Sequence, residues 1–299
     1  MKKKPSSPAG HFTPLRYPGG KGKVAGFVDR LLEDTGLLDG TYVEPYAGGA
    51  AVAVELLLRE RVSRIELNDI SPHVHAFWHS VLNHVEDLCL LIQETQVTVE
   101  SWDAQKVIAK SGTSDLLALG FATFFLNRTN RSGILNAGII GGRAQVGAWL
   151  INARFNKEEL IRRIRAIAAK KGRIGLHNED AVSFLNGGRE RWSERTFLYL
   201  DPPYFVKGRD LYFHHYSLRD HQQVRDAVAQ LTTPRWIVSY DDVPEIFDLY
   251  SEHSWLRYRL GYSAREHAEG AEIMFFGPGV PMPPAFRTMR EIARSTMAA

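Results

Sequence analysis

Thr196-Phe197-Leu198-Tyr199-Leu200-Asp201-Pro202-Pro203-Tyr204 is the stretch on which the fold turns. Its first five residues form a short apolar run of the kind that fills a buried strand of a parallel sheet. Two consecutive prolines cannot donate to a ladder, so they drive the chain out of the sheet at once. A carboxylate, a fixed backbone carbonyl and an aromatic ring are thereby presented together at a strand's carboxyl end. That is the edge at which open α/β sheets bind ligands. The set Asp201, Pro202, Pro203 and Tyr204 suits a planar amine: Asp201 accepts from one N–H, the Pro202 carbonyl from the other, and Tyr204 stacks on the ring. The plainer alternative is a strand-ending turn in which Asp201 only caps the next segment.

Outward from this stretch, strands and helices alternate. Val24–Leu38 reads as a helix, with apolar residues at 24, 27, 28, 31 and 32. Thr41–Glu44 reads as a strand, Ala50–Arg59 as a helix and Arg64–Leu67 as a second strand. Residues 71–171 break the alternation, with helical stretches near 72–93, 102–110, 114–127 and 156–171 around a glycine-rich polar segment, 127–147. Arg173–His177 resumes the sheet, Asp180–Leu185 is a short helix, and the quoted strand follows. Helices at Leu218–Leu231 and near Pro244–Tyr250 flank a strand at Trp236–Ser239. Strands near Trp255–Leu260 and Glu272–Phe276 then suggest an antiparallel pair at the sheet edge. The expected fold is a doubly wound, mostly parallel Rossmann-like α/β sheet with an antiparallel edge strand and a mainly helical inserted domain. One domain is assembled from 12–70 and 172–277, 71–171 is the insertion, and 1–11 and 278–299 are flexible tails.

Composition narrows the class. Apolar residues at 44% and charged residues at 24% of 299 are ordinary for a globular protein. The single cysteine, Cys89, excludes an internal disulfide and fits a reducing compartment. No long apolar run suggests a membrane span, and Met-Lys-Lys-Lys does not open a signal peptide, so a cytoplasmic protein is expected. Net charge is +3 but unevenly spread. Residues 1–23 carry six Lys/Arg and no acid, and residues 121–175 carry eleven against Glu158 and Glu159. The remainder is net acidic. Such asymmetry points to a polyanion docking on one face.

The strand at Thr41–Glu44 ends in Glu44-Pro45-Tyr46-Ala47-Gly48-Gly49-Ala50 and leads straight into a helix. Small residues there let a ligand approach the backbone and the helix N-terminus. The G-x-G-x-x-G spacing is absent, which disfavours NAD and FAD. The next strand ends at Asn68-Asp69, about twenty residues on, where an acid meets ribose hydroxyls in such folds. A small turn and a ribose carboxylate without a pyrophosphate loop suit S-adenosylmethionine. The alternative is a tight turn with Asp69 as a helix cap. Upstream, Tyr17-Pro18-Gly19-Gly20-Lys21 joins an aromatic ring and a lysine to a turn that can bring Lys21 back to the same edge, the alternative on its own being an exposed basic loop.

Taken together, these pieces resemble the Dam-like, class alpha family of adenine-specific DNA methyltransferases over roughly residues 12–277. The resemblance is carried by Pro-Leu-Arg-Tyr-Pro-Gly-Gly-Lys (14–21), Val-Glu-Pro-Tyr-Ala-Gly-Gly-Ala-Ala-Val (43–52) and Leu-Asn-Asp (67–69). It continues in Phe-Leu-Asn-Arg-Thr-Asn-Arg-Ser-Gly (125–133), Asn-Glu-Asp (178–180), Leu-Asp-Pro-Pro-Tyr (200–204) and Tyr-Ser-Leu-Arg-Asp-His (216–221). It implies that Tyr17, Lys21, Glu44, Gly48, Gly49, Asp69, Asp180 and Asp201 meet the cofactor, with Asp180 near its adenine. It also implies that 71–171 recognises the DNA target. The run 138–147 departs from the family, so no DNA sequence preference carries over.

What the resemblance implies is transfer of a methyl group to the exocyclic amine of an adenine flipped out of duplex DNA. Arg128, Arg131 and Arg143 are the candidates for DNA contact, by base edge or by phosphate. Arg162, Arg163 and Arg165 read as a solvated or phosphate-facing helix surface. His75 and His79 fall four apart on a helix but have no third ligand nearby in sequence, so no metal is expected. His214, His215, Tyr212 and Phe213 fall in the loop after Tyr204, where they could face the DNA. Two rivals stand beside this reading: an RNA adenine methyltransferase, and a non-catalytic DNA-binding relic. A restriction endonuclease partner, or none, and a monomer in solution complete the expectations.

Overall fold

The computed structural model describes residues 12–16, 21–206, 216–260, 271–284 and 289–295. Eight strands form one sheet: β1 Thr41–Glu44, β2 Arg64–Asn68, β3 Ile174–His177, β4 Thr196–Leu200, β5 Arg235–Asp241, β6 Ser254–Leu260, β7 Glu272–Phe276 and β8 Met289–Arg294. Their spatial order is β3-β2-β1-β4-β5-β7-β6-β8. From β3 to β5 all neighbours are parallel. The rest pair antiparallel. From β1 the chain builds outward to β2 and β3, then returns to place β4 on the other side. The β1/β4 boundary is therefore the topological switch point, where ligands bind in sheets of this kind.

Strand β4 is buried at all five positions, as the apolar run required. Period-2 alternation divides it between two apolar layers: Phe197 and Tyr199 face one, Leu198 and Leu200 the other. The second layer is closed by α8 (Ala181–Arg191), α9 (Leu218–Ala229) and α10 (Pro244–Leu249) through Phe184, Leu185, Val224, Val228 and Ile246. The first is closed by α1 (Ala25–Asp34) and α2 (Ala51–Leu58) together with the helices of residues 71–171. Those are α3 (Pro72–Asn83), α4 (Val85–Glu94), α5 (Val99–Lys110), α6 (Leu116–Thr129) and α7 (Lys157–Ala168). Phe77, Trp78, Phe124, Phe125 and Leu160 belong to the same apolar cluster as the sheet. The helical region thus packs on the catalytic sheet.

Several helix starts follow from local chemistry. Ser71 caps α3 ahead of Pro72, Asp115 caps α6, Asn156 caps α7 and Ser217 with Asp220 forms a capping box on α9. The expected helix over 72–93 is two helices, because His84 leaves helical geometry at φ −134° and Glu86 and Asp87 open a new first turn. Helix α8 runs six residues beyond its expected end, through Gly187-Gly188. There a side chain on Gly188 would collide with the Trp192 ring, so the glycine serves packing and does not break the helix.

Residues 278–299, expected as a flexible tail, contain β8, which pairs antiparallel with β6 and forms the outer edge of the sheet. The anticipated pair, β6 and β7, is antiparallel but lies inside that edge. Strand β8 escapes pattern reading because half of it is exposed and half of it is charged, as edge strands tend to be, and it is held by its backbone ladder. The described residues contain no helix long and apolar enough to cross a membrane.

Candidate active site

The Asp201 carboxylate sits where β4 ends. Its Oδ1 accepts from Lys21 Nζ at 2.7 Å and from Ser239 Oγ at 2.8 Å, and Tyr199 OH lies 2.9 Å from Ser239 Oγ. Lys21 arrives from a 3₁₀ turn (Lys21–Lys23) just ahead of α1. With side chains 14% and 18% exposed, the pair is largely shielded yet reachable from outside. Burial raises the Asp201 pKa, while the Lys21 charge and the hydrogen bonds from Lys21 and Ser239 oppose it. For Lys21, burial alone would lower the pKa, but the facing Asp201 and Glu272 carboxylates outweigh it and hold the ammonium well above its ordinary value.

Tyr204, expected to stack on the target ring, is tied into the polar cluster around Lys21. It is 9% exposed and turned inward. Its hydroxyl donates to Glu272 Oε1 at 2.7 Å and accepts from Lys21 Nζ at 3.2 Å. Lys21 Nζ also stands 5.2 Å from the ring centroid. A ring anchored in this way also steadies the lysine. Past Tyr204, the N–H groups of Phe205 and Val206 donate to the Asp241 carboxylate at 2.9 and 3.0 Å, fixing the loop's exit to the end of β5.

The neighbouring strand ends build a second wall. Gly48 (φ 46°) and Ala50 (φ 45°) are both left-handed in the turn after β1. For alanine that conformation costs roughly 1 kcal/mol, and such strain gathers at ligand sites. Asp69 braces the turn: Oδ2 accepts from Gly48 N–H at 2.8 Å and Oδ1 from Ser71 N–H at 2.9 Å. Asn68, fully buried, ties three strand ends together. Its Nδ2 donates to the carbonyls of Pro45 and Glu179, and its Oδ1 accepts from Glu179 N–H. Trp78 Nε1 donates to the Gly48 carbonyl at 2.9 Å, joining α3 to the same turn. Asp180, exposed, caps α8 through Oδ1.

Glu44 lies deeper than expected of a ligand contact. Its Oε1 accepts from Ala53 N–H at 3.0 Å and Tyr42 OH at 3.1 Å, which anchors α2 beneath the turn. Burial pushes its carboxyl up to about 8, with the nearby Asp201 charge adding to the rise. Tyr17, Tyr212, Phe213, His214 and His215 lie outside the described residues.

Residues 12–16 run from this wall to the helical region. Thr13 Oγ1 donates to the Gly49 carbonyl, and Asn127 grips Arg16. Of the three arginines expected on DNA, Arg128 is committed elsewhere. Its Nε donates to the Arg154 carbonyl at 2.6 Å and its Nη1 to the Pro14 carbonyl at 3.5 Å. Burial, with Arg16, Arg163 and Arg154 close by, pushes its pKa down to about 9. Arg131 is exposed. Arg143 is exposed too, in a bidentate pair with Asp103 at 2.8 Å for both contacts. Arg162 and Arg163 pair with Glu159, and Arg165 with Glu86. His75 and His79 lie along α3 with ring centroids 6.0 Å apart and planes tilted by 42°. Among the described residues no group of three His, Cys, Asp or Glu side chains is gathered to hold a metal ion.

A mostly parallel sheet thus brings a glycine turn, acids at adjoining strand ends and an Asp-Pro-Pro-Tyr corner together at its switch point. The family model for the D12 class N6 adenine-specific DNA methyltransferase matches residues 17–263, and the chain belongs to that family. Similar solved structures share 11–13% identity. One is a SAM-dependent methyltransferase from Agrobacterium tumefaciens (11% identity, TM-score 0.41), where the match covers 86% of this chain and 62% of that one. Others are the rRNA methyltransferase aviRa from Streptomyces viridochromogenes (13%, TM-score 0.37, 92% and 94% covered) and the putative methyltransferase yhhF from Escherichia coli (11%, TM-score 0.34, 88% and 90% covered). No curated protein matches the chain in sequence.

The donor set fits S-adenosylmethionine. Asp69 receives one backbone N–H on each oxygen, and a carboxylate oxygen can accept more than one bond. The exposed Asp180 uses only Oδ1 in its cap.

Proposed function

We propose that this protein transfers a methyl group to the exocyclic amine of an adenine extruded from duplex DNA. The observation that carries the reading is the Lys21–Asp201 contact at 2.7 Å on the carboxyl end of β4. Among the described residues, both bonds to Asp201 fall on Oδ1, which leaves Oδ2 for an N–H of the target amine.

The adenine amine is a poor nucleophile because its lone pair is delocalised into the ring. Accepting its protons at Asp201 and the Pro202 carbonyl favours a pyramidal nitrogen with an available lone pair. When bound, S-adenosylmethionine supplies an electrophilic methyl on a cationic sulfur. Asp69 and Asp180, with the Gly48–Gly49 turn and Tyr17, are the residues assigned to hold it, and Glu44 supports that turn from beneath. Lys21 favours the ionised form of Asp201 against its burial, and Asp201 in turn stabilises positive charge growing on the nitrogen. The rest of the work is positioning. Extruding the base costs a few kcal/mol, which contacts in the protein must offset.

Duplex DNA is favoured over RNA by the family and by the basic stretch 121–175, whose exposed Arg131 and Arg143 remain the candidates for DNA contact. A restriction endonuclease partner is compatible with this reading but is not required by it. Incubation with methyl-labelled S-adenosylmethionine and duplex DNA or RNA tests it. N6-methyldeoxyadenosine in the duplex is the expected product. Label confined to RNA would establish the RNA reading, and label in neither would leave a binding protein.

A further inference from the structure

Glu272, the first residue of β7, belongs to none of the motifs singled out in the sequence, yet it lies at the centre of the buried polar cluster. Its Oε1 accepts from Tyr204 OH at 2.7 Å, and its Oε2 from Tyr258 OH at 2.9 Å and Lys21 Nζ at 3.3 Å. Lys21 Nζ is shared with Asp201 Oδ1. The contacts close a ring, Asp201–Lys21–Glu272–Tyr204, whose last member follows its first by three residues in the chain. Glu272 is buried, and a buried carboxylate is costly unless it is paired and hydrogen-bonded. An apolar residue would fill this strand position without that cost. Two of the carboxylate's three partners, Lys21 and Tyr204, lead to Asp201 or to the loop beyond it, and the third, Tyr258, holds the carboxylate from β6.

We propose that Glu272 is a positioning residue for methyl transfer: by anchoring Lys21 and the Tyr204 hydroxyl, it fixes both ends of the Asp201–Tyr204 segment and so sets the place of Asp201. The proposal rests on Asp201 accepting from the target amine. Glu272 divides the attention of one ammonium between two carboxylates, so Asp201 retains acceptor strength that an exclusive pair with Lys21 would withdraw. Among the described residues, the charged or titratable groups facing Asp201 are Lys21, Glu272 on β7, Tyr199 on β4, Tyr204 in the loop, and Glu44 and Tyr42 on β1. Tyr258 on β6 donates to Glu272 and stands near Lys21, Tyr199 and Tyr204. Within this set Glu272 opposes ionisation of Asp201 and Lys21 favours it.

The test compares the wild type with Glu272→Gln and Glu272→Asp on unmethylated mixed-sequence duplex DNA. N6-methyladenine is quantified by nucleoside mass spectrometry across pH, and S-adenosylmethionine binding and thermal unfolding are measured alongside. For Glu272→Gln we expect kcat to fall by about 10²-fold, the scale of a displaced reacting group. The KM for S-adenosylmethionine should stay near the wild-type value, and the acid limb of kcat should move to lower pH. Glu272→Asp keeps the charge, so it should recover part of kcat with the acid limb in place. A folded, cofactor-binding Glu272→Gln with wild-type kcat and an unmoved acid limb would overturn the proposal. If that variant does not fold, Glu272→Asp at full wild-type kcat would overturn it equally. Absence of N6-methyladenine with the wild type itself would instead refute the assignment of Asp201.

Discussion

Asn127 holds Arg16 by its backbone in both directions: Asn127 Oδ1 accepts the Arg16 N–H at 2.7 Å, and Asn127 Nδ2 donates to the Arg16 carbonyl at 2.7 Å. The same amide donates to the Gly133 carbonyl at 2.8 Å. Gly133 (φ 77°) lies so close that a Cβ there would stand 2.7 Å from the Arg16 carbonyl oxygen. Arg16 Nη1 adds a bond to the Asn130 carbonyl at 3.0 Å. The chain thus leaves the helical region five residues before Lys21, with its register fixed by an asparagine 111 positions away.

Asn127→Ala should therefore act on both stability and catalysis. It strands buried backbone groups, each worth about 1–3 kcal/mol when left unsatisfied, and frees the segment that carries Lys21. We expect a fall in Tm of several degrees and a kcat loss larger than any change in DNA affinity. Calorimetry and steady-state kinetics check this. A variant with unchanged kcat would separate the clamp from the active site.

Glu44 makes stability depend on pH in a definite direction. Its folded-state pKa is raised to about 8 from an ordinary 4.5, so between those values the folded chain holds a proton that the unfolded chain has released. This group's contribution to stability is then present at low pH and lost as pH rises towards 8, by roughly 1 kcal/mol per pH unit. Glu44→Gln removes that slope. Its Tm, measured from pH 5 to 8.5, should gain on the wild type with rising pH. Parallel curves would show that Glu44 is ionised in the fold.

Arg128 and the two exposed arginines should separate experimentally. Arg128→Met is expected to lower Tm, because its bonds to the Arg154 and Pro14 carbonyls hold the segment together. Its effect on the salt dependence of DNA binding should be small. Arg131→Ala and Arg143→Ala should leave stability within about 0.5 kcal/mol of the wild type, since exposed ion pairs contribute little. Each should reduce the salt slope of duplex binding by about 0.9 if it contacts a phosphate. Fluorescence titrations at several salt concentrations decide between these outcomes.

Much of the architecture was legible because burial and turn chemistry are local. Thr41–Glu44 and Glu272–Phe276 read as strands with the boundaries observed, and the prolines after Leu200 marked the carboxyl end of β4. Strand β8 was invisible because an exposed edge needs no apolar alternation. The corner at Asp201 was legible as a carboxylate at a strand end, and Lys21 was drawn to that edge through its turn. Glu272, Ser239, Tyr199 and Tyr258 were not, because polar residues inside strands carry no periodic signal and meet only through the order of β4, β5, β7 and β6. Arg128 shows the converse: a positive charge in a basic stretch suggests a nucleic-acid contact until its neighbours, three arginines and two backbone carbonyls, are seen.

The most direct measurement is methyl transfer by Asp201→Ala, followed alongside its affinity for duplex DNA and for S-adenosylmethionine. Loss of the oriented acceptor should reduce N6-methyladenine formation by at least about 10²-fold while duplex binding stays near the wild-type level. Turnover close to that of the wild type would contradict the role given to this carboxylate and, with it, the function proposed for the protein.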